Sequence, residues 1–140
     1  MGGAYAGDLS PRDAWKLLVD DPQAVLVDVR TPAEWAYVGV PDLSVLSKQA
    51  VFVPWVLFPS MQVNAEFPQQ LAAAGVAPDA SVLFLCRSGV RSRSAAIAMT
   101  QHGYHSCYNV AHGFEGDHDG SRHRGTVSGW KVEGLPWMQG

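Results

Sequence analysis

Strands that alternate with helices predict an α/β fold, a central parallel sheet flanked by helices on both faces. Two observations carry this expectation. Ala24-Val25-Leu26-Val27-Asp28-Val29 and Ser81-Val82-Leu83-Phe84-Leu85 are short, continuous apolar runs, the pattern of strands buried on both faces. Helix-start signals follow both runs, which gives βαβ order, and right-handed crossovers then place helices on the two faces of one sheet.

The elements follow in order. Ser10-Pro11-Arg12-Asp13 opens a first helix, with Ser10 as cap and Pro11 in the first turn, and Ala14, Leu17 and Leu18 fall at helical spacing. It should end near Asp21-Pro22. After the strand over 24–29, Thr31-Pro32-Ala33-Glu34 supplies a capping box for a second, short helix. Val51-Phe52-Val53-Pro54 reads as a strand with Pro54 at its end, because proline cannot donate a ladder hydrogen bond. Phe67 to Ala74 reads as a helix closed by Gly75. The strand over 81–85 runs directly into Cys86-Arg87-Ser88-Gly89-Val90-Arg91, and Ser92 to His102 is helical, alanine-rich on its packing side and ended by Gly103. Tyr108-Asn109-Val110 is a last strand. Gly113 to Gly129, rich in glycine, histidine and aspartate, reads as an extended loop before Trp130 and the Gly134-Leu135-Pro136-Trp137 tail. No internal repeat is present.

Length and composition bound the function classes. The 140 residues, 47% hydrophobic, suit one domain spanning 1–140 with its own core, and leave no room for a second. A net charge of −3 supplies no broad basic surface, so no nucleic-acid partner is expected. The longest apolar run, Val51 to Phe58, is interrupted by Pro54 and too short for a bilayer, and the N-terminus lacks a charged-then-apolar leader. A soluble, cytoplasmic protein without a membrane partner is the expectation. Two cysteines, Cys86 and Cys107, read as free thiols.

Cys86 stands at the carboxyl end of the most hydrophobic strand, where open α/β sheets bind their ligands. The residues after it enter a helix, so unpaired backbone N–H groups and the positive end of the helix dipole converge on an anion in the loop. Gly89 lets the backbone curl. With Arg87, Arg91 and Arg93 close by, this field favours a thiolate and makes Cys86 a candidate nucleophile. The plainer alternative is a small buried hydrophobe at a strand end, with arginines that merely solvate a helix start.

Cys86-Arg87-Ser88-Gly89-Val90-Arg91-Ser92, Leu26-Val27-Asp28-Val29-Arg30-Thr31-Pro32-Ala33-Glu34-Trp35 and the terminal Gly134-Leu135-Pro136 together resemble the rhodanese family, in family order and across most of the chain. The resemblance implies a sulfurtransferase whose catalytic cysteine, here Cys86, cycles between thiolate and persulfide. It also implies that the loop of Arg87, Ser88, Gly89, Val90 and Arg91 cradles the transferred sulfur, with Ser92 opening the helix. The donor would be thiosulfate or a similar small sulfane, the acceptor a thiol, cyanide or a protein. No cofactor and no metal is called for. Asp28 and Arg30 match an Asp-x-Arg pair beside the site, and a buried ion pair that fixes neighbouring loops is favoured over substrate contact.

The chain departs from the family where Gly39-Val40-Pro41-Asp42 replaces the usual Gly-His-Ile-Pro-Gly, so an irregular path is expected there. Asp117, His118, Asp119 and His123 match no standard zinc spacing and read as solvated loop. His112 could cap a turn or contact the site. Cys107, beside a strand, reads as a packed thiol, and Trp15, Trp35 and Trp55 as core or pocket wall.

Two rival functions differ in class. A rhodanese-fold cysteine phosphatase would also use a thiolate in an anion-binding loop, but it needs an arginine where this chain has Ser92; Arg91 and Arg93 flank that position out of register. A non-catalytic sulfur carrier or regulatory binding module would keep the fold and the nucleophile and present the persulfide to a partner protein.

Overall fold

A computed structural model describes residues 5–57, 60, 62–116 and 128–139. Its centre is a parallel sheet of five strands in the order β1-β8-β7-β2-β4: β1 (Gly7–Leu9), β2 (Val25–Asp28), β4 (Val51–Phe52), β7 (Ser81–Leu85) and β8 (Ser106–Val110). The α/β expectation holds. β7 occupies the middle, with Leu83 in register between Leu26 of β2 and Tyr108 of β8.

Strand alternation sends side chains to two cores. Leu26, Leu83 and Leu85 pack on one face with Ala14 and Leu18 of α1 (Pro11–Asp20) and with Phe114 and Trp130. Val27, Val82 and Phe84 pack on the other with Phe67 and Leu71 of α3 (Phe67–Ala73) and Ala95, Ala96 and Met99 of α4 (Val90–Gln101). Both faces of β7 are therefore sealed, which is why its sequence shows no polar alternation. Truncating a fully buried residue such as Phe84 to alanine should cost roughly 3–5 kcal/mol.

The local signals read from the sequence act as expected. Ser10 Oγ accepts from Asp13 N at 3.1 Å and Pro11 fills the first turn of α1. Thr31 and Glu34 form a reciprocal capping box at the start of α2 (Pro32–Tyr37). α1 lacks a closing glycine. Its end is sealed instead by Lys48, whose Nζ donates to the carbonyls of Leu18, Asp21 and Ala24 at 2.9, 2.8 and 2.9 Å.

Four short strands escaped the sequence reading besides β1. β3 (Val40–Pro41) pairs antiparallel with β9 (Trp137–Met138), and β5 (Val56–Leu57) pairs with β6 (Gln62–Val63). The irregular path expected around Gly39 is the entry to β3. Gly39 has φ +113, and a Cβ there would lie 2.8 Å from the Met138 carbonyl oxygen, so only glycine lets the tail strand approach. Residues 113–115 are turn; most of the expected loop, with Asp117, His118, Asp119 and His123, lies outside the described residues. No helix among the described residues is long and apolar enough to cross a membrane.

Candidate functional site

Cys86 follows directly on β7, at the carboxyl edge of the sheet's middle strand, and is 1% exposed. The loop behind it is shorter than the sequence suggested. Gly89 serves as the N-cap of α4 with φ +109, so the helix starts at Val90, and Val90 and Arg91 belong to its first turn instead of to the loop. A Cβ on Gly89 would meet only ordinary contacts, the nearest His112 N at 3.5 Å, so the backbone angle, not crowding, calls for glycine.

The sulfur is met by two groups. The Gly89 N–H donates to Cys86 Sγ at 3.1 Å, and Ser92 Oγ stands 3.2 Å from the same sulfur. Ser92, in the first turn of α4, is fully buried. Its hydroxyl donates to Asn109 Oδ1 at 2.5 Å, and Asn109 Nδ2 donates to Asp8 Oδ1 at 3.0 Å. The Asn109 and Tyr5 hydrogen bonds, aided by Arg93, hold the Asp8 carboxyl below its ordinary range against the opposing effect of burial. Asn109 and Asp8 were not singled out from the sequence. A buried asparagine within the apolar strand β8 was the available signal.

The loop is held from behind by the turn after β8. The N–H of Phe114 donates to the Cys86 carbonyl at 2.8 Å, and those of Glu115 and Gly116 donate to the Arg87 carbonyl at 3.0 and 3.1 Å. Gly113, φ +62, lies so close that a Cβ there would collide with the Cys86 carbonyl oxygen. These contacts satisfy the Cys86 and Arg87 carbonyls.

The arginines divide. Arg91 turns toward α2, and its Nη1 and Nη2 donate to Glu34 Oε1 and Oε2 at 2.7 and 2.9 Å. Burial opposes ionisation of Glu34, but the hydrogen bonds and charge of Arg91, with those from Thr31, outweigh it and hold the carboxyl at about 2, against an ordinary 4.5. Arg87 is exposed, and it lines a cavity of about 320 Å³ with Glu34, Val38, Arg91 and Glu115. Arg93 points away, 3.9 Å from Asp8. Val90 is largely exposed, and Ser88 is half-buried in the loop.

Asp28 and Arg30 form the buried pair expected of them. Both are fully buried, Arg30 Nε and Nη2 donate to the carboxylate at 2.9 and 2.6 Å, and Nη2 also donates to the Gly39 carbonyl at 2.7 Å. The guanidinium carbon lies 4.3 Å from the Phe114 ring centroid. One cation thus ties β2 to the entry of β3 and to the turn that backs Cys86.

Cys107 is fully buried among Val82, Met99 and Tyr104, and burial pushes its thiol pKa up despite a hydrogen bond with Thr100. It packs, as expected. Trp15, Trp35 and Trp55 make edge contacts with Trp130, Phe52 and Phe67, respectively. His112 adopts φ +65 in the turn after β8, with its backbone N beside Gly89. No cluster of metal-binding side chains occurs among the described residues.

Comparison with known proteins agrees with this architecture. Residues 6–140 match the family described as the STR4 middle domain. The Rickettsia conorii protein RC0915 is 40% identical over 126 residues, 89% of this chain and 91% of that one. A protein named sulfurtransferase from Allochromatium vinosum is 32% identical over 119 residues, 85% of this chain and 82% of its own. Among solved structures, that of Rv0390 from M. tuberculosis superposes with a TM-score of 0.89 at 49% identity, covering 98% of this chain and 100% of that one. The polysulfide-sulfur transferase of Wolinella succinogenes superposes at 0.62 with 26% identity, over 95% of this chain and 78% of its own. By the match to the STR4 middle domain over residues 6–140 and by these relatives and structural neighbours together, the chain belongs to the rhodanese-like domain family.

Proposed function

We propose that this protein is a sulfurtransferase that carries sulfane sulfur on Cys86 as a persulfide. The observation that carries the reading is the placement of Cys86 Sγ at the end of the middle strand, accepting the Gly89 N–H at 3.1 Å where α4 begins. That is a cradle for one negatively charged sulfur.

In the forward half-reaction the Cys86 thiolate attacks the outer sulfur of thiosulfate. The S–S bond of the donor breaks, sulfite leaves with the bonding pair, and a Cys86 persulfide anion remains. In the second half an acceptor nucleophile, a thiol, cyanide or a protein thiolate, attacks the outer sulfur and expels the Cys86 thiolate. Two easier displacements replace one difficult transfer. Arg87, exposed and next to Cys86 in the chain, is the cation assigned to the donor's oxyanion, while Arg91 is taken by Glu34. No cofactor enters this chemistry, and free thiols suit a reducing cytoplasm.

The names of the Allochromatium vinosum and Wolinella succinogenes relatives support sulfur transfer. The geometry weighs against the phosphatase reading. Its arginine position is Ser92, buried and bonded to Asn109, and Arg91 is held by a carboxylate.

The test is mass spectrometry of the intact protein after thiosulfate treatment. One added sulfur, lost in Cys86→Ser and removed by cyanide, is expected. A protein that stays unmodified while its fold is intact, or a folded Cys86→Ser variant that still makes thiocyanate, overturns the reading.

A further inference from the structure

The groups behind Cys86 leave the Ser92 hydroxyl little choice. Asp8 is ionised and can only accept, so the Asn109 amide must turn its Nδ2 to it and its Oδ1 inward. Oδ1 can only accept, and it stands 2.5 Å from Ser92 Oγ, so the one hydroxyl proton lies on that line. Cys86 Sγ, 3.2 Å away, is the other acceptor within reach of that single proton, and with the proton held by Asn109 the Ser92 oxygen presents lone pairs to the sulfur. A thiol satisfies that arrangement by donating S–H to Oγ. A thiolate does not, because two acceptors would face each other in a buried site unless the hydroxyl abandons Asn109.

We propose that Asp8, Asn109 and Ser92 form a polarity lock on Cys86, a set of positioning residues that disfavours its bare thiolate relative to its thiol and its persulfide. The second half of this statement rests on the sulfur-transfer reading above. In the persulfide the negative charge sits on the outer sulfur, and the inner Sγ, bonded on both sides, needs no donor from Ser92. The thiolate is the leaving group of unloading. Raising its energy slows the discharge of bound sulfur to adventitious thiols, while the Gly89 N–H supplies opposing stabilisation.

Asn109 is 1% exposed on β8, but Asp8 lies at the sheet's rim with its side chain 44% exposed, so the lock can be opened from the surface. Asp8→Asn presents a group that can donate or accept. The Asn109 amide can then turn over, donate Nδ2 to Ser92 and release the hydroxyl toward sulfur. Asn109→Ala releases it outright. Asn109→Ala leaves the other charges around the loop, Arg91 with Glu34, Arg30 with Asp28, Arg87, Arg93 and His112, in place, whereas Asp8→Asn also removes the carboxylate that accepts from the Tyr5 hydroxyl and faces Arg93.

The readout is the pH dependence of Cys86 alkylation by a neutral reagent, whose rate follows the thiolate fraction and needs no sulfur donor. Asn109→Ala should move the profile to lower pH, with an increase of about tenfold in rate below the midpoint, equivalent to about one pH unit. Asp8→Asn should move it the same way by less. In a Ser92→Ala background Asn109→Ala should move nothing, since the effect passes through the hydroxyl. Profiles of folded Asn109→Ala and Asp8→Asn that superpose on the native one overturn the lock, as does an equal shift without the Ser92 hydroxyl. A second arm loads the persulfide with thiosulfate and follows its loss to a small thiol, expected to be several-fold faster in Asp8→Asn. If alkylation shifts but no variant ever loads sulfur, the lock stands and the transfer reading fails.

Discussion

Glu34 and Arg91 face each other from α2 and α4 and close a bidentate pair of 2.7 and 2.9 Å beside the loop that holds Cys86. The same carboxylate also completes the capping box of its own helix through Thr31. A single side chain thus starts one helix and anchors the first turn of another. Its pKa, about 2 when folded and ordinarily 4.5, is depressed by folding. The stabilisation is therefore fully present above about pH 4.5 and drains away as pH falls toward 2. Glu34→Gln should cost about 1–2 kcal/mol at neutral pH, after allowance for solvent at a partly exposed pair, and little in strong acid. Urea unfolding of both proteins across that range checks it. An equal loss at both ends would mean that the glutamate acts by shape and not by charge.

Arg87 and Arg91 should separate in kinetics. Arg87→Ala is expected to raise the apparent KM for thiosulfate by roughly threefold to tenfold at low salt, fading as salt is added, with an unchanged melting temperature. Arg91→Ala should instead lower the melting temperature, because it leaves Glu34 half-buried without its cation. Steady-state kinetics beside thermal melts of the two variants would show the contrast, and the reverse assignment would make Arg91 the donor-binding arginine.

Folded protein treated with a limiting alkylating reagent near neutral pH should be modified at Cys86 and spared at Cys107, whose thiol is fully buried and shifted upward by that burial. Cys107→Ala should keep most of the sulfur-transfer turnover at a stability cost of about 1–2 kcal/mol. Peptide mapping reads the first expectation and activity against melting temperature the second. Loss of turnover without loss of stability would give Cys107 a chemical role.

Removing Arg30 alone should be severe. Arg30→Met strips the Asp28 carboxylate of its buried partner and frees the Gly39 carbonyl, and about 3–5 kcal/mol of stability should go with it. Replacing both members, Asp28→Leu with Arg30→Met, should recover part of that loss, since no lone charge then remains buried. Denaturant midpoints of the three proteins decide. A double variant no better than the single one would mean that the guanidinium contacts to Gly39 and Phe114 matter more than the charge pair.

Much of this was legible in the sequence because it is local. The apolar runs of β2 and β7, the Ser10 and Thr31 caps, and the passage from Leu85 through Cys86 into a helix each lie within about ten residues of chain. What escaped depends on residues far apart. Gly7-Asp8-Leu9 carries no strand pattern, yet it pairs with Tyr108-Asn109-Val110 almost a chain length away. Asn109 looked like an ordinary polar residue until β1 and α4 closed around it. The direction of Arg91 was illegible for a different reason: Gly89, by taking a left-handed angle, starts α4 two residues early and rotates Arg91 toward α2. β3 and β9 are two residues each, too short for periodicity to register.

The strap that ties Phe114, Glu115 and Gly116 to the carbonyls of Cys86 and Arg87 sets an order on how the site can come into being. Cys86 leaves the ribosome some thirty residues ahead of the segment that backs it, and the strap is in turn pinned by Trp130, whose N–H donates to the Gly113 carbonyl. A nascent chain therefore exposes a thiol with no finished cradle until Phe114 to Gly116 and Trp130 have followed it. Proline or alanine at Gly113 would prolong that vulnerable interval indefinitely, so such variants should emerge from cells with Cys86 oxidised more often than they emerge unfolded.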